Sequence, residues 1–149
     1  MSGHVLAIAR CLVKRGPMEL LRETAISLDK GVEGDPRGHK KGRQVTVMSR
    51  EAWEAACTDL GKELDWTTRR ANVLVEGVDL AFTKHRQLRI GEVLFTIAMQ
   101  TQPCFLMDEF ENGLRDVLKP DWRGGACCTV EKAGIIRVGD PVEVLACVP

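Results

Sequence analysis

Apolar and polar residues alternate along much of this chain. A period of two sends every second side chain to one face and marks strands with one buried side. It runs through residues 4–13, 24–28, 44–48, 72–75, 92–99, 127–131 and 142–148. In the clearest run Val93, Phe95, Ile97 and Met99 share one face, predicted as core, while Leu94, Thr96, Ala98 and Gln100 share the other. Leu88-Arg89-Ile90-Gly91-Glu92 and Ile136-Arg137-Val138-Gly139-Asp140 repeat one pattern of apolar, Arg, apolar, Gly and acid, each ahead of an alternating run. Each predicts a short strand, a tight turn with Gly at positive φ, and a longer strand.

Two stretches follow a helical spacing instead. Ser49 can cap free amides, Glu51 sits in the first turn, and Gly61 suits the position just past a helix end. Trp53, Ala56, Cys57 and Leu60 then form one apolar stripe, which makes Cys57 a packing residue. The second stretch follows Cys104, presents Leu106, Phe110, Leu114 and Leu118, stops before Pro120, and is open to a break at Gly113. The expected fold class is mainly β, a barrel with two or three short helices. At 149 residues the chain predicts one domain over 1–149.

Composition narrows the function classes. With 44% hydrophobic and 28% charged residues, the chain is expected to fold unaided. Lys plus Arg and Asp plus Glu both number 21, so no global field draws it to nucleic acid or an anionic membrane, and any anion site must be local. No secretory pattern opens the sequence and no segment has the length to span a bilayer, which predicts a cytoplasmic protein with reduced thiols. The six cysteines, Cys11, Cys57, Cys104, Cys127, Cys128 and Cys147, form no Cys-x-x-Cys pair, so structural zinc is not expected.

Three segments carry chemistry-bearing residues. The loop over 34–43 is rich in glycine and positive charge, and Arg37, His39, Lys40, Lys41 and Arg43 are available to neutralise a phosphate. Taken alone it reads more readily as a solvated basic loop. Arg70 and Asn72 share a face where they enter the 72–75 strand, and suit either an anion or pterin site or surface ion pairing. Cys104 follows a core strand and precedes a helix, whose partial positive charge favours a thiolate, although Asp108, Glu109 and Glu111 oppose it. The alternative for Cys104 is a small buried hydrophobe. Cys127 and Cys128, adjacent in a strand, point to opposite faces and read as packing; His4 and His85 read as surface residues.

Taken in order, these motifs resemble the MOSC domain family. The resemblance rests on Gly34-Asp35, Arg43-Gln44-Val45-Thr46-Val47 with Ser49-Arg50-Glu51, and Arg69-Arg70-Ala71-Asn72 with Val75-Glu76-Gly77-Val78-Asp79-Leu80. It continues through Leu88-Arg89-Ile90-Gly91, Pro103-Cys104, Arg123-Gly124-Gly125 and the stretch from Gly134 to Val142. Such domains occur in molybdenum cofactor sulfurases, in molybdenum-dependent reductases of N-hydroxylated compounds, and as standalone bacterial proteins. The resemblance implies a β-barrel that binds a molybdenum–molybdopterin cofactor or carries sulfur, with Cys104 as the metal ligand or sulfur carrier. It implies that Arg70 and Asn72 face the pterin and its phosphate, that Arg123 is a further basic position, and that Asp35, Arg37 and His39 contribute from the Gly-Asp loop. Pro36 departs from the family pattern, which often continues Gly-Asp directly with a basic residue and histidine. The partners implied are the small-molecule cofactor and a sulfur-donor or electron-transfer protein. No lysine here is a candidate for pyridoxal phosphate, which belongs to a separate aminotransferase-like domain in the sulfurases.

Overall fold

The alternating runs pair into one closed sheet in the structure, a computed structural model that describes residues 2–146. Cys147 and the end of the 142–148 run lie outside the described residues. In chain order the strands are β1 (Ser2–Arg10), β2 (Glu19–Leu21), β3 (Glu23–Ser27), β4 (Gly31–Val32), β5 (Val45–Ser49) and β6 (Val73–Glu76). They continue with β7 (Gln87–Ile90), β8 (Val93–Gln100), β9 (Ala126–Lys132), β10 (Gly134–Arg137) and β11 (Pro141–Val144). Seven of them close a barrel in the order β11-β7-β8-β9-β5-β6-β1, with β11 pairing back onto β1. β2 extends the sheet beyond β1, and β10, β3 and β4 form a second small sheet. The short β2 and β4 were not legible as alternating runs.

Among the described pairs only β5 and β6 run parallel. A parallel pair needs a crossover, and α1 (Arg50–Leu60) supplies it. Ser49 accepts the Ala52 amide at 3.1 Å and Gly61 closes the other end, as the sequence predicts. Trp53, Ala56 and Cys57 are buried, with Leu60 packed beside them. The second helical stretch is split at Gly113, whose φ of 89° ends one turn and starts another, into α2 (Leu106–Phe110) and α3 (Leu114–Leu118). The break overturns the single stripe: Phe110 is exposed, and Met107 packs inward with Leu114 and Leu118.

Two apolar clusters result. One fills the barrel, with Phe95, Ile97, Ile90, Leu88 and Cys128 among its residues. The other lies between the barrel wall and the helices, where Met48 and Leu74 meet Trp53, Cys57 and Leu114. Burying apolar surface on both sides of β5 and β6 explains why their sequences, Val-Thr-Val-Met-Ser and Val-Leu-Val-Glu, are apolar almost throughout.

The glycine repeats diverge in use. Gly91 (φ 56°) turns β7 into β8 as a hairpin, with Ile90 opposite Val93. Gly139 (φ 94°) instead carries the chain from β10, paired with β3, to β11 in the barrel. β8 also departs from strict alternation. A bulge between Ile97 and Met99 shifts the register against β9, so Val93, Phe95 and Ile97 point into the core while Met99 turns out and is exposed. Bulges of this kind re-aim the residues that follow. Among the described residues no helix is long and apolar enough to cross a membrane.

Candidate functional site

Asp35 organises the site. After β4 the chain enters a single tight turn, Pro36–His39, with Asp35 as its cap. Pro36 holds the first position, where a missing N–H costs nothing. The turn folds Arg37 back onto Asp35: Oδ1 accepts the Arg37 amide at 3.0 Å and Nε at 2.9 Å, and Oδ2 accepts Nη2 at 2.7 Å. Pro36 is therefore part of the device that aims Arg37. Oδ2 also accepts the Cys11 amide and Asn72 Nδ2, both at 3.2 Å. The Asp35 side chain is only 2% exposed. Burial alone would push its pKa up, but the hydrogen bonds and charge of Arg37, with the Cys11 amide, hold it below the usual carboxylate range. Burial likewise works against the Arg37 charge, and Asp35 more than offsets it.

Asn72 and Arg70 join this framework. Asn72 Oδ1 accepts the Thr46 amide at 3.1 Å and Nδ2 also donates to the Ala9 carbonyl at 3.1 Å, so both ends of the amide are engaged inside the protein. Arg70, in a left-handed conformation at φ 66°, donates Nη2 to the Gly16 carbonyl at 2.6 Å and receives Arg37 Nη1 on its own carbonyl at 2.8 Å. These contacts tie the 34–43 loop to the start of β6. Neither Arg70 nor Asn72 lines the cleft beside them.

That cleft has a volume of about 450 Å³. Lys14, Arg37, His39, Lys40 and Arg43 form its basic wall, and no carboxylate lines it. Thr46, Gln100, Thr101, Gln102 and Cys127 complete it with hydrogen-bonding groups and one thiol. A chain with no net charge thus concentrates positive potential at one concavity. The β8 bulge sets the inner wall. It brings Gln100 opposite Ala126, lets the Thr101 amide donate to the Gly125 carbonyl at 2.8 Å, and leaves Thr101 Oγ1 3.2 Å from Cys127 Sγ. Cys128, facing the other way, is fully buried in the barrel core, where burial and Cys127 push its thiol well above the ordinary range.

Cys104 lies three residues past Thr101 and is exposed. It precedes α2, a helix of five residues with Asp108 and Glu109 in its first turn. The buried cation held against the segment from Thr101 to Cys104 is Arg69, which is 7% exposed. Arg69 donates Nε to the Gly124 carbonyl at 3.1 Å and Nη2 to the Thr101 carbonyl at 3.3 Å, while Nη1 meets only the Met107 sulfur at 3.8 Å. No carboxylate pairs with it among the described residues. Burial lowers its pKa; negative charge on Cys127 and Cys104 acts to raise it, and Arg37 lowers it further.

Arg69 was not singled out from the sequence, and Cys127, read there as packing, lines the cleft. Alternation carried back from β6 selects Arg70 as the partner of Asn72. The chain before β6 is in fact a tight turn, Trp66–Arg69, capped by Asp65, and it sends Arg69 inward. The two adjacent arginines were the available signal: Arg69 is buried and Arg70 half-buried.

The remaining positions separate. His39 is exposed on the rim, its Nδ1 donating to the Pro36 carbonyl at 2.7 Å. Arg123 does not join Cys104: it lines a different cleft of about 640 Å³ with Ser49, Gly77 and Phe82, and its Nη1 bridges Asp59 Oδ2 at 2.6 Å and the Val117 carbonyl at 3.1 Å. Among the described residues no three His, Cys, Asp or Glu side chains gather as a metal site.

The tight turn leaves no space at Gly38, where an added Cβ would stand 1.9 Å from the Lys30 carbonyl oxygen. Gly38→Ala is expected to displace the basic wall and lower stability by about 2 kcal/mol, as overpacking against backbone does. Thermal melting reads the stability, and loss of anion affinity reads the displaced wall.

Three comparisons bear on this arrangement. The YUAD protein from Bacillus subtilis superposes with a TM-score of 0.84 at 18% identity, covering 97% of this chain and 96% of its own. YiiM from Escherichia coli superposes with a TM-score of 0.75 at 15% identity, covering 99% of this chain and 71% of its own. YiiM from Geobacillus stearothermophilus gives 0.69 at 12%, with 97% and 73% covered. At these identities the likeness is one of fold. No curated protein sequence matches significantly. The match that reaches the sequence itself is to the MOSC domain over residues 33–143, which spans the Asp35 turn, Arg69, Cys104, Cys127 and all of the basic wall except Lys14, and by it the chain belongs to the MOSC domain family.

Proposed function

We infer that this MOSC domain binds the phosphate-bearing pterin of the molybdenum cofactor in its basic cleft and carries molybdenum or a sulfane sulfur on Cys104. One observation carries the reading: five basic side chains, no carboxylate and the Cys127 thiol line one concavity, and the exposed Cys104, which does not line it, follows three residues after its lining residue Thr101. The residues fit such a ligand. Arg37, held by Asp35, would receive the phosphate with Lys14, Lys40 and Arg43. Gln100, Gln102 and Thr46 offer the mixed donors and acceptors that a pterin edge requires. A single exposed thiol suits a metal that arrives with sulfur ligands of its own, and the described residues offer no set of three protein ligands that would compete. When bound, the cofactor would supply two-electron redox chemistry at molybdenum. Asn72 and Arg70 serve by holding the wall in shape.

The protein purified from a host that makes molybdenum cofactor is expected to retain molybdenum and a phosphorylated pterin, read by elemental analysis and by fluorescence of the oxidised pterin. Reversing Lys40 and Arg43 together to Glu is expected to lower both by at least about tenfold, because two attractive charges become repulsive at short range. A parent protein that retains neither metal, pterin nor a persulfide would exclude the reading.

A further inference from the structure

The buried guanidinium of Arg69 lacks the anion that its position calls for. A charge removed from water requires a partner, and the protein groups around this one are two carbonyls and a thioether. Its Nη1 has no oxygen acceptor. The thiols along the segment that Arg69 holds are Cys127, touched by Thr101, and Cys104, three residues further on. They differ in access: Cys104 is exposed, whereas Cys127 is almost wholly buried and forms part of the cleft lining. Thr101 connects them. Its hydroxyl touches Cys127 Sγ, its carbonyl accepts from Arg69, and an irregular segment of three residues leads from it to Cys104. Three residues reach at most about 10 Å, which bounds how far Cys104 stands from Thr101.

We propose that Cys104 and Cys127 form a sulfur relay, in which Cys104 takes a sulfane sulfur from a donor outside and passes it to Cys127 inside the basic cleft. The proposal rests on the sulfur-carrying form of the function given above. The Cys127 thiolate attacks the outer sulfur of the Cys104 persulfide. A new S–S bond forms on Cys127, the old S–S bond breaks, and Cys104 leaves as a thiolate. The exchange is redox-neutral and needs no further reagent. Arg69, bonded to the Thr101 carbonyl, is the buried cation held against the segment that joins the two sulfurs. The relay moves sulfur from a position that a donor protein can reach to one facing a cleft-bound anionic ligand.

A pulse and chase tests this. The parent, Cys104→Ser, Cys127→Ser and Cys127→Ala proteins are exposed briefly to glutathione persulfide, freed of donor, and alkylated at intervals. Peptide mapping then locates the added sulfur, with thermal melting as a folding control and the alanine variant as a second route should the serine variant fold poorly. In the parent, label is expected first on Cys104 and then on Cys127 as the Cys104 fraction falls. With Cys127 replaced, label is expected to stay on Cys104. With Cys104 replaced, labelling of Cys127 is expected to slow by on the order of tenfold or more, since a buried thiol meets donor poorly. Label that stays on Cys104 in the parent, or Cys127 labelling equally fast without Cys104, overturns the relay and leaves Cys104 as a simple carrier. A parent that never labels at Cys104 overturns the sulfur-carrying reading beneath it.

Discussion

Replacing Cys104 with serine is expected to abolish retention of both molybdenum and sulfane sulfur while leaving the fold intact. Serine nearly preserves the size but exchanges a soft, ionisable thiol for a hard hydroxyl that stays protonated at neutral pH. Because Cys104 is exposed and lies outside both apolar clusters, the stability change should stay within about 0.5 kcal/mol. The contrast comes from the buried cysteines. Cys57 packs between α1 and the barrel wall, and Cys128 sits in the barrel core with its thiol held protonated by burial and by Cys127. Truncating either to alanine should cost on the order of 1 kcal/mol and leave loading unchanged. Elemental analysis, intact mass and melting temperature on the three variants separate the roles. A Cys104→Ser protein that loads like the parent would make the cysteine structural and leave the basic cleft as an anion site without sulfur chemistry.

The barrel was legible because alternation states directly which face of a strand is buried. Ser49, Glu51 and Gly61 bounded α1 for the same reason, since capping is local chemistry. What alternation cannot report is a change of phase. Met99 was assigned to the core on a pattern that the bulge after Ile97 interrupts, and that interruption is what places Thr101 against Cys127. The Arg69–Arg70 pair follows the same logic, because a tight turn ahead of β6 exchanged the inward and outward positions. Pro36 departs from the family pattern, yet as the first residue of a capped turn it fixes where Arg37 points. Asn72 was legible as a residue near the site, but its use was not. Only coordinates show that its donors and acceptor are spent on Ala9, Asp35 and Thr46.

Removing the Asp35 carboxylate is expected to destabilise the protein and disorder the basic wall together. Asp35→Ala strips the acceptor from the buried Cys11 amide and from Asn72 Nδ2, and frees Arg37, whose side chain is 34% exposed and can turn to water. The Arg37 share of the pair is therefore screened, and the loss rests mainly on the buried donors, giving roughly 3 kcal/mol in all. For a chain of this size that lowers the melting temperature by on the order of 10 °C. The pH dependence identifies the cause. Asp35 titrates lower in the folded protein than its ordinary value of 3.8, so its stabilisation is fully present above that value and is lost as pH falls through the folded one. The gap between parent and Asp35→Ala should hence be constant through neutral pH and narrow below pH 3.8. Melting curves across that range provide the measurement. Equal stability at neutral pH, or a gap that persists undiminished into strong acid, would show that Asp35 does not hold the site as a charged acceptor. With Arg37 released, the cleft also loses its one basic residue held in place by a buried carboxylate, so anionic ligand affinity should fall even in the folded fraction.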